Sequence, residues 1–318
     1  MSALIRALAV AGPTAGGKTA LALSLGEVLS GEIVGCDSMQ IYRGFDIGTA
    51  KPTKEEMARL PHHLIDFLDP NTPYSAADYG ADALRVAGEI AARGKLPVFC
   101  GGTGLYLEAA RTGRHEMGEP SDPTVRAELT ARAATEEGRA ELCKQLFTVD
   151  PASAEAIHPN NIRRVIRALE IYLVSGKPKS VWDAESREKP PQMDICILGL
   201  FYRDRQRLYD RIEQRVHVML KEGLYEECER LYRAGYLESG STAAQAIGYK
   251  ELLPAVRGEL PLADAVQMLI TATRRYAKRQ LTWFSAMAGV HLLYADDECG
   301  MKNERVLLNE ALAIYSQF

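Results

Sequence analysis

The run Gly12, Pro13, Thr14, Ala15, Gly16, Gly17, Lys18 and Thr19 limits the possible folds more than any other stretch. It follows an apolar segment, Ile5 to Ala11, and precedes an amphipathic one, Ala20 to Leu29. The spacing G-x-x-x-x-G-K-T between a strand and a helix predicts a phosphate-binding loop. Backbone N–H groups at the helix start can surround a phosphate, Lys18 adds positive charge, and the Thr19 hydroxyl can coordinate Mg²⁺. The pattern implies a bound di- or triphosphate and leaves open which one.

Further short apolar runs occur at Ile33 to Asp37, Leu64 to Phe67, Pro97 to Cys100, Ile195 to Phe201 and Val290 to Tyr294, with helical patterns between them. Several are apolar nearly throughout, as strands covered on both faces are. The expected fold class is α/β: a P-loop-type, mostly parallel sheet core flanked by helices, with an inserted all-helical subdomain. The core is expected over residues 1–113 and 192–318. The insertion, over 114–191, has no strand-like run. Within it, Pro159, Asn160 and Asn161 start a helix whose stripe is Ile162, Val165, Ile166, Leu169, Tyr172 and Leu173, ending at Gly176 before Pro178.

The 38 basic and 42 acidic residues leave a net charge of -4, so no global field draws the chain to a polyanion, and any such partner must meet a local basic patch. No run of about eighteen uncharged apolar residues is present, which excludes a membrane-spanning helix. The segment from Met1 to Gly12 is read as a strand of the fold and not as a signal peptide. The six cysteines form no C-x-x-C pair or zinc-type grouping and read as reduced thiols in a cytoplasmic protein.

Asp37 ends the second expected strand and, in a parallel sheet, should face the phosphate loop. It is open to three readings: an acid on Mg²⁺, a general base toward a nucleophile, or a turn residue without chemistry. Gly101, Gly102, Thr103 and Gly104 arrive at the same edge, where glycines permit close approach and Thr103 offers a hydroxyl. Arg203, Arg205, Arg207, Arg211 and Arg215 open a helix after the Ile195 strand; one or two could grip a diphosphate, the rest being solvated ion pairs. Arg163, Arg164 and Arg167, and the block Arg274 to Arg279, are candidate RNA-backbone contacts, with a nucleotide lid or a solvated face as rivals. His62 and His63 read as structural residues.

Taken together, GPTAGGKT, CDSMQIYRGFDIGTAKP, PHHLID, GGTGLYL, NNIRRVIRALEIY, AIGYKEL and TRRYAKRQLTWF resemble the bacterial tRNA dimethylallyltransferases, in the same order and over most of the chain. The resemblance implies transfer of the dimethylallyl group from dimethylallyl diphosphate to N6 of an adenosine beside the anticodon of tRNA, with Mg²⁺ as cofactor. It implies that Gly12 to Thr19 hold the diphosphate together with one of Arg211 and Arg215, that Lys18 and Thr103 act at the reacting centre, and that Thr19 holds the metal. Asp37 becomes the base that takes the N6 proton. Asp37, Ser38, Met39, Gln40, Thr103, Arg163, Arg164 and Arg167 match positions that contact tRNA. The adenosine is expected to leave its stack to reach the site. The partners implied are the tRNA anticodon loop and dimethylallyl diphosphate, with no membrane and no obligate protein partner, in a cytoplasmic monomer.

Two positions depart from the family pattern. Gly16 stands where serine is usual, which removes one side-chain contact to the diphosphate, and Arg163 stands where glutamine is typical. The rival functions are prenylation of a free adenine nucleotide, a P-loop small-molecule kinase, and a non-catalytic RNA-binding protein. A basic helical insertion favours RNA over a small acceptor, and an intact phosphate loop disfavours mere RNA binding.

Overall fold

The computed structural model describes residues 4–113, 120–188, 190–238 and 240–318, and the chain divides into two compact units. The first comprises Met1–Arg111 and Gln192–Phe318; the second is Thr112–Pro191. The expected boundary at Arg114 lies outside the described residues.

The first unit begins with β1 (Ile5–Ala11), α1 (Lys18–Val28), β2 (Gly31–Gly35), α2 (Lys54–Arg59), β3 (His62–His63), α3 (Ala76–Ala92), β4 (Leu96–Gly101) and α4 (Gly104–Thr112). The second unit contributes α5 (Pro123–Arg132), α6 (Glu136–Val149), α7 (Pro151–Ala156), α8 (Ile162–Ser175) and α9 (Lys179–Glu188). The first resumes with β5 (Met193–Phe201), α10 (Arg205–Lys221), α11 (Leu224–Arg233), α12 (Tyr249–Val256), α13 (Leu262–Ala286) and β6 (Val290–Tyr294). A small hairpin of β7 (Asp296–Asp297) and β8 (Gly300–Met301) precedes α14 (Glu304–Gln317).

Six of the eight strands among the described residues form one sheet in the order β3-β2-β4-β1-β5-β6, and every pairing within it is parallel. Ala7 to Ala11 of β1 are all buried, because apolar layers cover the sheet on both faces. Leu21, Leu23 and Leu25 of α1 and Leu208 and Ile212 of α10 pack on one face; Tyr79, Ala83 and Ile90 of α3 and Leu107 of α4 pack on the other.

Two strand expectations shift. β2 ends at Gly35, two residues before Asp37. The third strand is His62–His63, paired with Ile33 and Val34, and not Leu64 to Phe67. Leu64 and Asp66 adopt left-handed conformations, with φ of 57° and 55°, which no strand accommodates. The N–H groups of Asp66, Phe67 and Leu68 donate instead to the Gln40 and Ile41 carbonyls.

Among its described residues the second unit has helices and no strand, around a core of Leu129, Leu142, Leu146, Val165 and Leu169. α8 starts after Asn161 and ends at Gly176, whose φ of 72° suits a glycine stop. Its buried face holds Val165, Ile166, Ala168, Leu169 and Ile171, while Leu173, expected in the stripe, is exposed. Asp150 ties this unit together by accepting from the backbone N–H groups of Ser153 and Ser180.

Candidate functional site

The chain leaves β1 toward β2 on one side of the sheet and leaves β5 toward β6 on the other. A crevice therefore opens between the carboxyl ends of β1 and β5, the usual ligand position in open α/β sheets. The phosphate loop follows β1 and α10 follows β5, so the first turns of α1 meet the arginines of α10 there.

The loop is held from several directions. The Gly16 N–H donates to the Pro13 carbonyl at 3.2 Å, and a Cβ at Gly16 would stand 2.7 Å from that oxygen. A side chain here would require the turn to shift, and no hydroxyl projects from this position. Ala15 sits at φ 59°, a strained conformation for a residue with a Cβ, and its carbonyl accepts from Arg211 Nε at 2.9 Å. The Tyr202 hydroxyl donates to the Gly16 carbonyl at 3.1 Å. Lys18 Nζ donates to the Pro13 carbonyl at 2.7 Å. Burial, assisted by the nearby Arg215 charge, pushes the Lys18 ammonium down to about 8.

Gln280 of α13 closes the arrangement. Its Oε1 accepts from the Thr14 N–H at 2.8 Å and its Nε2 donates to the Gly102 carbonyl at 2.9 Å, so one buried amide fixes the phosphate loop to the glycine-rich turn after β4. Sequence reasoning did not single out Gln280; its only signal was membership of the TRRYAKRQLTWF stretch.

At the ends of β2 and β4, a Cβ on Gly101 would lie 1.9 Å from the Cys36 carbonyl, so glycine is required for the two chains to meet. The approach lets the Thr103 N–H donate to the Cys36 carbonyl and the Ser38 N–H donate to Thr103 Oγ1 at 3.0 Å. Thr103 Oγ1 also lies 3.3 Å from the Ser38 hydroxyl and beside the Tyr276 phenol, whose pKa burial raises. Tyr276 is a second site residue not singled out from the sequence. Asp37 Oδ1 accepts from the Met39 N–H at 2.9 Å, the turn expected of a structural aspartate, while the carboxylate also lines two cavities.

The larger cavity, about 920 Å³, is lined by Thr14 to Ala20, Asp37, Arg211, Arg215 and Gln280 among others. The second, about 260 Å³, shares Thr14, Asp37, Arg215 and Met219 and adds an apolar wall of Ile212, Val216, Leu224 and Leu269. Asp37 and Arg215 thus stand where a cleft whose loop side bears Lys18, Arg211 and Arg215 adjoins a pocket with an apolar wall. Such an arrangement can hold an anionic head and an apolar tail with the junction at a carboxylate. Arg215 forms no ion pair among the described residues, and burial lowers its pKa while the Asp37 carboxylate opposes that shift.

The remaining arginines divide by partner. Arg207 binds Asp296 and the Asp297 carbonyl, and Arg203 stacks over Tyr294. Arg274 binds Glu213. Arg163 and Arg164 are exposed on α8. Arg167 directs its guanidinium to the Pro120 carbonyl and to Glu170, a fully buried carboxylate that also binds Arg126. Gln40 donates its amide to the carbonyls of Thr49 and Ala50, Ser38 is engaged with Thr103, and Met39 is half-buried at the apolar pocket.

Among the described residues no three His, Cys, Asp or Glu side chains gather as metal ligands. Mg²⁺ needs no such cage: it keeps several waters and takes substrate phosphate oxygens with one or two protein oxygens. Thr19 and Asp37 both line the larger cavity, and their donors fit a metal of this kind.

Residues 40–287 match the family described as IPP transferase. A tRNA dimethylallyltransferase of Geobacter sulfurreducens is 47% identical over 275 residues, which cover 86% of this chain and 87% of that protein. The crystal structure of full-length tRNA isopentenylpyrophosphate transferase from Bacillus halodurans superposes with a TM-score of 0.70 at 40% identity, covering 98% of this chain and 96% of that one. A eukaryotic dimethylallyltransferase, solved in crystallographic snapshots of its action on tRNA, gives a TM-score of 0.82 at 30% identity, covering 98% of this chain and 79% of that one. A family match over most of the chain, with relatives this similar over most of their length, means that the chain belongs to the IPP transferase family, that of the tRNA dimethylallyltransferases.

Proposed function

We propose that this enzyme transfers the dimethylallyl group of dimethylallyl diphosphate to N6 of an adenosine next to the anticodon in tRNA, releasing diphosphate. The observation that carries the reading is the junction at Asp37, where a cleft bearing Lys18, Arg211 and Arg215 adjoins an apolar pocket. The diphosphate occupies the cleft and the five-carbon tail lies against Ile212, Val216 and Met219. The reacting carbon is then beside Asp37.

The N6 lone pair attacks the allylic carbon, the C–O bond to the diphosphate breaks, and the bonding electrons leave on the diphosphate oxygen. Lys18, Arg215 and the loop N–H groups stabilise that growing charge. One oxygen of Asp37 is tied to the Met39 N–H, which orients the carboxylate and leaves the other to take the N6 proton. Thr103, held by Ser38 and Tyr276, presents its hydroxyl beside the base. Mg²⁺ held by Thr19, with Asp37 close by, would add positive charge at the diphosphate. Arg163 and Arg164 supply RNA-backbone contacts from the second unit, and Arg167 supports them by fixing α8 through Glu170. The chain works without an obligate protein partner, in the cytoplasm. Among the described residues no helix is long and apolar enough to cross a membrane.

The test is incubation with unmodified tRNA, labelled dimethylallyl diphosphate and Mg²⁺, with AMP and ATP in parallel. Label is expected in the RNA. Label in AMP would instead favour the free-nucleotide reading, and ATP consumption the kinase.

A further inference from the structure

The PHHLID stretch has no part in the chemistry above, and its two histidines differ. His63 Nε2 pairs with Glu32, which also binds Arg93, so it belongs to the scaffold. His62 Nδ1 lies 2.8 Å from the Leu60 carbonyl. A carbonyl only accepts, so Nδ1 carries the proton and Nε2 is left as a bare acceptor. That atom is buried and has no hydrogen-bond partner among the described residues. Burial also lowers the His62 pKa, which keeps the ring neutral.

His62 lines a cavity of about 20 Å³ behind the phosphate loop, together with Thr19, Gln40, Pro52, Ile65 and Cys100. One water needs roughly 10–15 Å³ of such space and two or more polar partners. The lining offers both. Cys100 lies in hydrogen-bonding range of Thr19, but cysteine sulfur is a weak acceptor. The stronger acceptor on that side is the imidazole.

We propose that His62 is a positioning residue for Thr19: through one water in this cavity, its Nε2 draws the hydroxyl proton inward and turns the oxygen's lone pairs toward the cleft. A hydroxyl has one proton and two lone pairs, and it can serve a cation only if the proton points elsewhere. The inference rests on the reading in which Thr19 holds Mg²⁺ beside a diphosphate. It makes His62 an outer-shell residue of the kind that sets ligand orientation.

The experiment measures binding of inorganic diphosphate to the full chain, with and without Mg²⁺, in wild type, His62→Asn and His62→Gln. Asparagine keeps a donor for the Leu60 carbonyl and removes the Nε2 acceptor; glutamine places an amide oxygen near the Nε2 position. The Mg²⁺-dependent gain should fall about tenfold in H62N and survive in H62Q, with metal-free binding the same in all three. An unchanged gain in H62N, an equal loss in both variants, or the reverse order overturns the proposal, since a purely structural bond to Leu60 would spare H62N. Should H62N fail to fold, His62→Phe fills the ring space without an acceptor and must show the same loss; an intact gain there also overturns the proposal. A wild type with no Mg²⁺-dependent gain overturns the Thr19 reading and this inference with it, whereas a gain in wild type that H62N retains overturns this inference alone.

Discussion

Arg167 and Arg215 are both half-buried arginines on amphipathic helices, and their surroundings give them opposite meanings. Arg167 is matched inside its own unit by Glu170, a carboxylate with no exposed surface, and by the Pro120 carbonyl. Arg215 is partly stripped of water beside Lys18 and has no ion-pair partner among the described residues. A desolvated cation that the fold leaves without a direct ion-pair partner costs stability, and its retention points to an anionic ligand. A guanidinium already matched by a buried carboxylate points to scaffold. The same residue type on the same kind of helix is assigned by its partner and not by its charge.

The largest expected effect separates the base from these cations. Asp37→Ala should lower prenyl transfer by about 10²–10⁴-fold while tRNA affinity stays near wild type, because the carboxylate acts on one proton. Single-turnover kinetics with a tRNA-binding assay decide it, and near-normal turnover would remove Asp37 from its role. Next, Lys18→Ala and Arg215→Ala should each cost about 10²-fold in kcat/KM for dimethylallyl diphosphate, with diphosphate binding weakened in parallel. An inert Arg215→Ala would erase the contrast with Arg167.

Titration sharpens the same point. With Lys18 at about 8 in the free enzyme, raising pH through that value discharges the ammonium and weakens diphosphate binding. Bound diphosphate favours the protonated form, so binding takes up a proton when measured above about pH 8, a quantity that calorimetry in buffers of different ionisation enthalpy reads directly.

Arg167→Ala should leave diphosphate binding untouched and destabilise the second unit by about 1–3 kcal/mol, as Glu170 loses a buried partner. Thermal unfolding of the whole chain checks this. Normal stability with a lost diphosphate site would invert the comparison. The smallest effect belongs to the exposed pair: Arg163→Ala with Arg164→Ala should weaken tRNA binding evenly across sequences and reduce the salt slope by about two. An unchanged slope would return both residues to the solvated surface.

How much of this was legible in the sequence depends on the range over which each feature is encoded. The phosphate loop is specified by eight consecutive residues, and α8 by its own stripe and stop, so both stand where the pattern placed them. The third strand was misplaced because the apolar residues Leu64, Ile65 and Phe67 look extended, whereas the backbone bends at Leu64 and Asp66 to reach the Gln40 and Ile41 carbonyls. Arg167 could have been separated from Arg163 and Arg164 by Glu170, three residues on and on the same face. Gln280 carried no such signal. A glutamine inside a long basic helix looks like solvent-facing surface, and its partners at Thr14 and Gly102 are set by tertiary structure alone.

The bond between Thr14 and Gln280 spans 266 positions of the chain. During synthesis the glycine motif therefore emerges first and waits for its brace while a further 266 residues are added. A nascent chain halted before α13 would carry every residue of the phosphate loop and still lack the amide that fixes it.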